Sequence, residues 1–223
     1  MHQTVIVVAG GVGNRMQSEL PKQFIEVAGL PVLMHTLKRF YTFNPQIEIR
    51  LVLPGNQIQL WNKLQQNHNF TIDHKVYEGG DTRFASVKNG LYDLLPGSLV
   101  AIHDGVRPFV SPETIKRGFD LAITKGAVVP VIDLHDTLRE IKGSQSITVW
   151  RQNYRLVQTP QVFQTDILLK AYEQNYRESF TDDASVVESA GFLVSLFEGN
   201  RENIKITTPQ DLLMANVFAG LFT

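Results

Sequence analysis

Cysteine is absent from this 223-residue chain, which excludes disulfides, thiolate metal centres and a cysteine nucleophile. An excess of one charge is lacking too: 21 basic residues against 22 acidic ones leave a formal net charge of −1. General nucleic-acid and membrane-surface binders ordinarily carry a basic excess, so neither nucleic acid nor membrane is an expected partner. Any anion site must then be built from a few local cations. Long apolar runs are missing as well. The opening MHQTVIVVAGG has no basic leader, and its apolar stretch is too short for a secretory signal or a membrane span. A cytoplasmic soluble protein is the expectation. At this length one sizeable core and a single domain over 1–223 are the default.

What is present is a rhythm. Five short runs rich in Val, Ile and Leu recur at 4–9, 48–53, 98–103, 127–132 and 192–197. They are continuous rather than alternating, as strands covered on both faces are. Helical patterns lie between them, with Leu33, Leu37 and Phe40 on one face, then Ile115, Phe119 and Ile123, and later Leu213, Val217 and Leu221. Ser111, Thr181 and Thr208 stand where N-caps are expected. The alternation predicts an α/β fold, a Rossmann-like and mainly parallel sheet flanked by helices. Residues 136–158 break the pattern, with apolar positions on either side of a polar KGSQS turn. That stretch predicts a β-hairpin arm, at about 133–158, projecting from the sheet to pack on a second copy of the chain.

Three loops hold the candidate chemistry. In VIVVAGGVGNRMQSELPKQF a strand runs into Gly10, Gly11 and Gly13, which free the backbone to turn and present amides to an anion. The Walker A Gly-Lys-Ser/Thr is missing, and Met16 stands where a dinucleotide loop needs its third small residue. No acid follows the second strand, which disfavours a nicotinamide-dependent oxidoreductase. Instead Arg15 and Lys22 follow, and two cations beside a nest of amides suit a triphosphate. EGGDTRFASVKNGL reads equally well as a ligand turn or as a glycine turn with a helix capped by Asp81 or Thr82. In AIHDGVRPFV, Asp104 falls at the carboxyl edge of the third strand, where open α/β sheets bind ligands, though an Asp104–Arg107 pair closing a loop is the competing structural reading. His103 reads as structural, because no second histidine stands at metal-ligand spacing.

Taken in order, AGGVGNRM…PKQF, GGDTRFASV, HDGVRPF, DT, TPQVF, TDDAS and NIKITTPQDL resemble the 2-C-methyl-D-erythritol 4-phosphate cytidylyltransferases along nearly the whole chain. The resemblance implies transfer of CMP from CTP to that sugar-alcohol phosphate, with release of pyrophosphate, by a homodimer interlocked through its arms. It further implies that Ala9, Gly10, Gly11 and Gly13 line the nucleotide, with Arg15 and Lys22 on its phosphates. Gly80, Asp81 and Ser86 would meet cytosine and ribose, and Asp104 would sit between the two substrates. Asp104, Gly105, Arg107, Thr159, Thr181 and Lys205 would surround the acceptor, while Thr137 and Arg151 reach into the partner's site. Arg15, Lys22, Arg151 and Lys205 would be the catalytic cations. Magnesium would be held mainly by phosphates, with Asp104 as its one protein ligand. The Ala9-Gly10-Gly11 triplet also resembles ribitol-5-phosphate cytidylyltransferases, which keeps ribitol 5-phosphate open as the acceptor.

Overall fold

A computed structural model describes residues 1–10 and 20–221; the expectations for Gly11, Gly13 and Arg15 fall outside them. The strands are β1 (Gln3–Val8), β2 (Glu26–Val27), β3 (Leu30–Pro31), β4 (Glu48–Leu53), β5 (Lys75–Glu78), β6 (Leu99–Asp104), β7 (Ala127–Ile132), β8 (Leu138–Lys142), β9 (Gln145–Val149), β10 (Leu156–Val157), β11 (Gln161–Gln164) and β12 (Ser195–Glu198). The helices are α1 (Val32–Phe43), α2 (Gly55–Asn67), α3 (Arg83–Gly90), α4 (Pro112–Lys125), α5 (Thr165–Ala171), α6 (Asp183–Ser189) and α7 (Pro209–Leu221).

The main sheet runs β10-β7-β11-β6-β1-β4-β5, with β12 also pairing with β7. Its centre, β6-β1-β4-β5, is parallel. β11 enters antiparallel between β6 and β7. The strands are apolar on both sides because both faces are covered. Val5, Val7 and Leu51 pack with Leu33, Leu37, Phe40, Trp61 and Phe119 of α1, α2 and α4. Ile6, Val52, Val100 and Ile102 face the other way, onto Phe84, Val87, Leu168 and Val186 of α3, α5 and α6.

The expected strands at 48–53 and 127–132 match β4 and β7, and three others shift by one to three residues. β5, β10 and β11 were not legible as strands, since each is short and mixed with polar residues. β11 hides its own polar end: Gln161 is fully buried, accepting from the Ala184 N–H at 2.8 Å and donating to Asp182 at 2.8 Å.

Two helix faces need correction. Ile115 and Phe119 are buried, but Ile123 is half exposed and Ala122 takes its place in the core. In α7 the buried side is Ala215 and Ala219, packed with Val32, Phe109 and Ile206, whereas Leu213 and Val217 are 71% and 62% exposed. The helix buries its small residues because it sits close against the β2–β3 hairpin. Among the caps, Ser111 holds the Thr114 N–H at 3.1 Å as expected. The start at 181 moves by one, because Asp182 rather than Thr181 accepts from Ser185 and closes a capping box.

The arm is present. β8 and β9 form a separate two-stranded sheet around a Gly143–Ser144 turn, and Arg139 clasps it by bonding Ser146 and Thr148 across the pair. Ile141, Ile147, Trp150, Tyr154, Leu156 and Val157 all stay exposed along the arm and its return.

Candidate active site

The site forms where parallel strands end together. Val8 pairs with Asp104 at the carboxyl ends of β1 and β6, and the Gly105 N–H returns to Val8 O at 2.9 Å. The two chain segments then leave side by side. Glycine is required at 105 because a Cβ there would lie 2.7 Å from the Ala9 Cβ and 3.1 Å from Leu33 Cδ1. Next along the edge, β5 ends in the Gly79–Gly80 turn that starts α3. Ser86, one turn inside, closes this turn by accepting from the Gly80 N–H at 3.1 Å and donating to Gly80 O at 3.3 Å. A side chain at Gly80 would collide with Ala85 at 2.5 Å. Thr82, not Asp81, is the N-cap, accepting from the Ala85 N–H at 3.0 Å. Lys22 opens a 3₁₀ turn over Lys22–Phe24, and the fully buried Gln23 anchors that turn to Ala9 O at 2.9 Å.

These pieces enclose a cavity of about 260 Å³ lined by Ala9, Gly10, Lys22, Gly80, Asp81 and Ser86, with Asp104 and Lys205 at one end. An adjoining hollow of about 300 Å³ is lined by Asp104, Arg107, Thr159, Thr181, Asp182 and Lys205. Arg83, Asp104 and Lys205 border both.

Asp104 is the hinge of the electrostatics. Its Oδ2 takes Lys205 Nζ at 3.0 Å and Arg107 Nε at 3.1 Å, and its Oδ1 faces Arg83 Nε at 3.9 Å. Burial pushes its pKa up, but Lys205, Arg83 and Arg107 outweigh burial and hold the carboxyl well below the usual range. Asp104 is therefore an anion among three cations. Behind it runs a hydroxyl–imidazole chain. The Asp104 N–H donates to Thr159 Oγ1 at 3.0 Å, the Thr159 hydroxyl bonds His103 Nδ1 at 3.1 Å, and His103 Nε2 bonds Arg107 O at 3.0 Å. The set is satisfied by a neutral imidazole that donates from Nε2. Burial, the largest influence, lowers the pKa of His103 to about 4. His103 is structural, as expected.

Of the residues expected at the site, Ala9, Gly10, Lys22, Gly80, Asp81, Ser86 and Asp104 line the first chamber. Asp104, Arg107, Thr159, Thr181 and Lys205 line the second. Gly105 lies beneath the floor, against Ala9 and Leu33, rather than in either wall. Thr137 and Arg151 are not brought in: both are exposed, and Arg151 bonds the backbone oxygen of His135 on its own arm. Sequence reasoning passed over Arg83, Gln23 and Gln161, and named Thr82 only as a candidate helix cap. Arg83 carried a usable signal, because a cation in the first position of a helix faces the positive end of its dipole and calls for acidic partners.

The chain can now be set beside known proteins. The family profile of 2-C-methyl-D-erythritol 4-phosphate cytidylyltransferase, IspD, matches residues 3–220. The chain belongs to this family. It is 55% identical over 212 residues to the 2-C-methyl-D-erythritol 4-phosphate cytidylyltransferase of Bacteroides thetaiotaomicron, covering 95% of this chain and 97% of that one. Among solved structures, the enzyme of that name from Thermus thermophilus is 34% identical with a TM-score of 0.79, over 99% and 100% of the two chains. The 4-diphosphocytidyl-2C-methyl-D-erythritol synthase of Anaerococcus prevotii superposes with a TM-score of 0.82 at 29% identity, over 98% and 96%. This member of the IspD family is thus an enzyme, a nucleotidyltransferase with the Rossmann-like sheet of its relatives. Among the described residues no helix is long and apolar enough to cross a membrane.

Proposed function

We propose that the first chamber holds CTP, the second holds 2-C-methyl-D-erythritol 4-phosphate, and CMP passes from one to the other across Asp104. The observation that carries this reading is the pair of adjoining cavities sharing Arg83, Asp104 and Lys205. The glycine turns flank the first, and the three-cation cluster opens on the second.

The reaction needs no protein nucleophile. An anionic oxygen of the acceptor phosphate attacks the α-phosphorus of CTP. A P–O bond forms there as the bond to the bridging oxygen breaks, and pyrophosphate leaves with the electron pair. The obstacle is repulsion: two like unit charges ~4 Å apart cost about 4 kcal/mol at an effective dielectric of ~20. Catalysis is then positioning and charge stabilisation. Lys22, with Arg15, stabilises the departing pyrophosphate. Lys205 and Arg107 hold the acceptor phosphate, and Asp104 keeps both cations oriented. The Thr159 hydroxyl is committed to Asp104 and His103, so it supports the wall rather than donating to substrate.

Magnesium fits as an ion carried by the nucleotide. Among the described residues no group of three His, Cys, Asp or Glu side chains could cage a metal. Asp104 Oδ1, facing the more distant Arg83 between the two chambers, would be the protein's ligand to it, with phosphates and waters supplying the rest. Held there by Asp104 and the phosphates, such an ion would supply charge neutralisation. The exposed apolar side chains of the arm support a homodimer in which Thr137 and Arg151 serve the partner's second chamber.

The test is pyrophosphate release by the purified protein with CTP, Mg²⁺ and each of two acceptors, methylerythritol 4-phosphate and ribitol 5-phosphate. Turnover is expected with the first. Preference for the second, or none with either, overturns the reading.

A further inference from the structure

Arg83 has no part in the reaction as derived above, yet its contacts are the most elaborate at the site. It occupies the first position of α3, directly after the Thr82 cap, and α3 has no acidic residue in its first turn. A cation there opposes the helix dipole. Its guanidinium forks onto Asp183, at 3.0 Å and 2.6 Å to the two carboxylate oxygens. Asp183 is fully buried in the first turn of α6, where a negative charge suits the helix end. The Tyr172 hydroxyl donates to the same carboxylate at 2.7 Å, and the Tyr172 ring stacks on Phe84 at 4.7 Å between centroids. The third edge of Arg83 turns towards Asp104. Asp183 and Asp104 outweigh the effect of burial and raise the affinity of Arg83 for its proton.

Three pieces are thereby joined by one rigid side chain. They are the Gly80–Thr82 turn that walls the first chamber, the Thr181–Asp182 wall of the second, and the aspartate between them. A lysine in this place would join only two, since its ammonium lacks the planar fork.

We propose that Arg83 is a positioning residue that couples the chambers: a nucleotide seated on the Gly80–Thr82 turn fixes α3, and through the Arg83–Asp183 fork fixes the acceptor wall at the start of α6. The inference rests on the assignment of the chambers proposed above. Coupling of this kind is reciprocal, so each ligand tightens the other by the same factor, typically ~5–150-fold.

The experiment measures methylerythritol-phosphate affinity calorimetrically, with and without α,β-methylene-CTP, which occupies the nucleotide chamber but resists transfer. In the wild type the analogue tightens acceptor binding at least about fivefold. In Arg83→Lys the factor falls towards one, while the melting transition is retained. A merely structural role would weaken single-ligand binding or stability and leave the factor intact. Tyr172→Phe keeps the ring stacking and removes one bond from Asp183, so it reads the same linkage if Arg83→Lys does not fold; its factor is expected to fall at least about twofold. A wild-type factor of one, or an unchanged factor in the folded variants, overturns the coupling. Pyrophosphate release by the wild type, measured alongside, separates that result from failure of the chamber assignment itself.

Discussion

Replacing Lys205 by Met tests whether the cluster around Asp104 serves the acceptor or merely closes a loop. The substitution removes the charge and keeps most of the apolar stem. Its structural cost is small. The Lys205 side chain is 42% exposed, and Arg107 independently holds the same Asp104 oxygen at 3.1 Å. Asp104 itself is buried, so this is not a surface pair of negligible worth. Arg83 and Arg107 stay, however, to compensate the carboxylate and hold the loss to about 1 kcal/mol, a Tm shift of roughly 2–4 °C for a chain of this size. The catalytic cost is far larger if Lys205 meets the incoming phosphate. One unit charge ~4 Å from another contributes about 4 kcal/mol at an effective dielectric of ~20. Part of that is already offset by Asp104. Loss of a fixed charge-stabilising group in other enzymes costs roughly 10²–10³-fold, about 3–4 kcal/mol. The expected outcome is a kcat/KM for the acceptor lowered roughly 10²–10³-fold with a nearly unchanged melting curve. Pyrophosphate release at saturating CTP over a range of acceptor concentrations measures the first, and calorimetric melting the second. A kcat/KM within about threefold of wild type in a well-folded variant would refute the role and return Lys205 to a loop-closing contact.

Arg151→Ala should lose activity alone, yet recover part of it when mixed with an inactive Lys22→Ala protein, since a shared site can then be assembled from one intact set of each; no recovery where subunit exchange is demonstrated counts against the dimeric site. His103 gives a pH signature. Its folded-state value of about 4 lies below the ordinary 6.5, so the unfolded chain takes up the proton first and stability falls as pH drops from about 6.5 through 4. At about 1.4 kcal/mol per unit this reaches roughly 3 kcal/mol. His35 and His74 are also held down, chiefly by burial, and add to the same slope, whereas Asp104 and Glu48, whose values are lowered, lose their contribution only below the ordinary carboxylate range. His103→Gln should therefore flatten the fall in Tm between about pH 7 and 5; identical slopes in both proteins would remove His103 from the account. Gly105→Ala drives a methyl group to within 2.7 Å of Ala9 Cβ, an overpacking cost of about 1–3 kcal/mol, with a higher KM for CTP because Ala9 lines its chamber; an unchanged melting point and KM would show that the strand ends can part freely.

The sheet was legible because its central strands are covered on both faces and so carry continuous apolar runs. The short, mixed β5, β10 and β11 carry no such run. Their pairing is decided by neighbours distant in sequence, and Gln161 is buried only because Asp182 and Ala184 arrive to satisfy it. The α7 face was misread for a related reason: large apolar residues at helical spacing ordinarily face inward, but close packing against the β2–β3 hairpin selects Ala215 and Ala219 instead. Most of the site was legible as loops that cluster at one sheet edge. Arg83 was not, because its meaning depends on Asp183, far away along the chain.

Among the described residues, charge at the junction of the chambers is nearly balanced. Arg83, Arg107 and Lys205 are set against Asp104 and Asp183, a single net positive charge, and the chamber walls add Lys22 against Asp81 and Asp182. The acceptor phosphate brings about −2, and three linked phosphates bring considerably more. A fold that commits three cations to holding two aspartates has spent charge on geometry: the Arg83 fork and the Asp104 cluster fix walls more than they neutralise ligands. Beyond Arg15, which the proposed reading sets on the nucleotide phosphates, further positive charge would come from groups that arrive with the ligands or from another chain. Magnesium on the nucleotide is the first such source. On the homodimer proposed above the second would be Arg151, exposed on an arm whose apolar side chains are uncovered: standing outside its own site, it would bring its charge to the partner's phosphates.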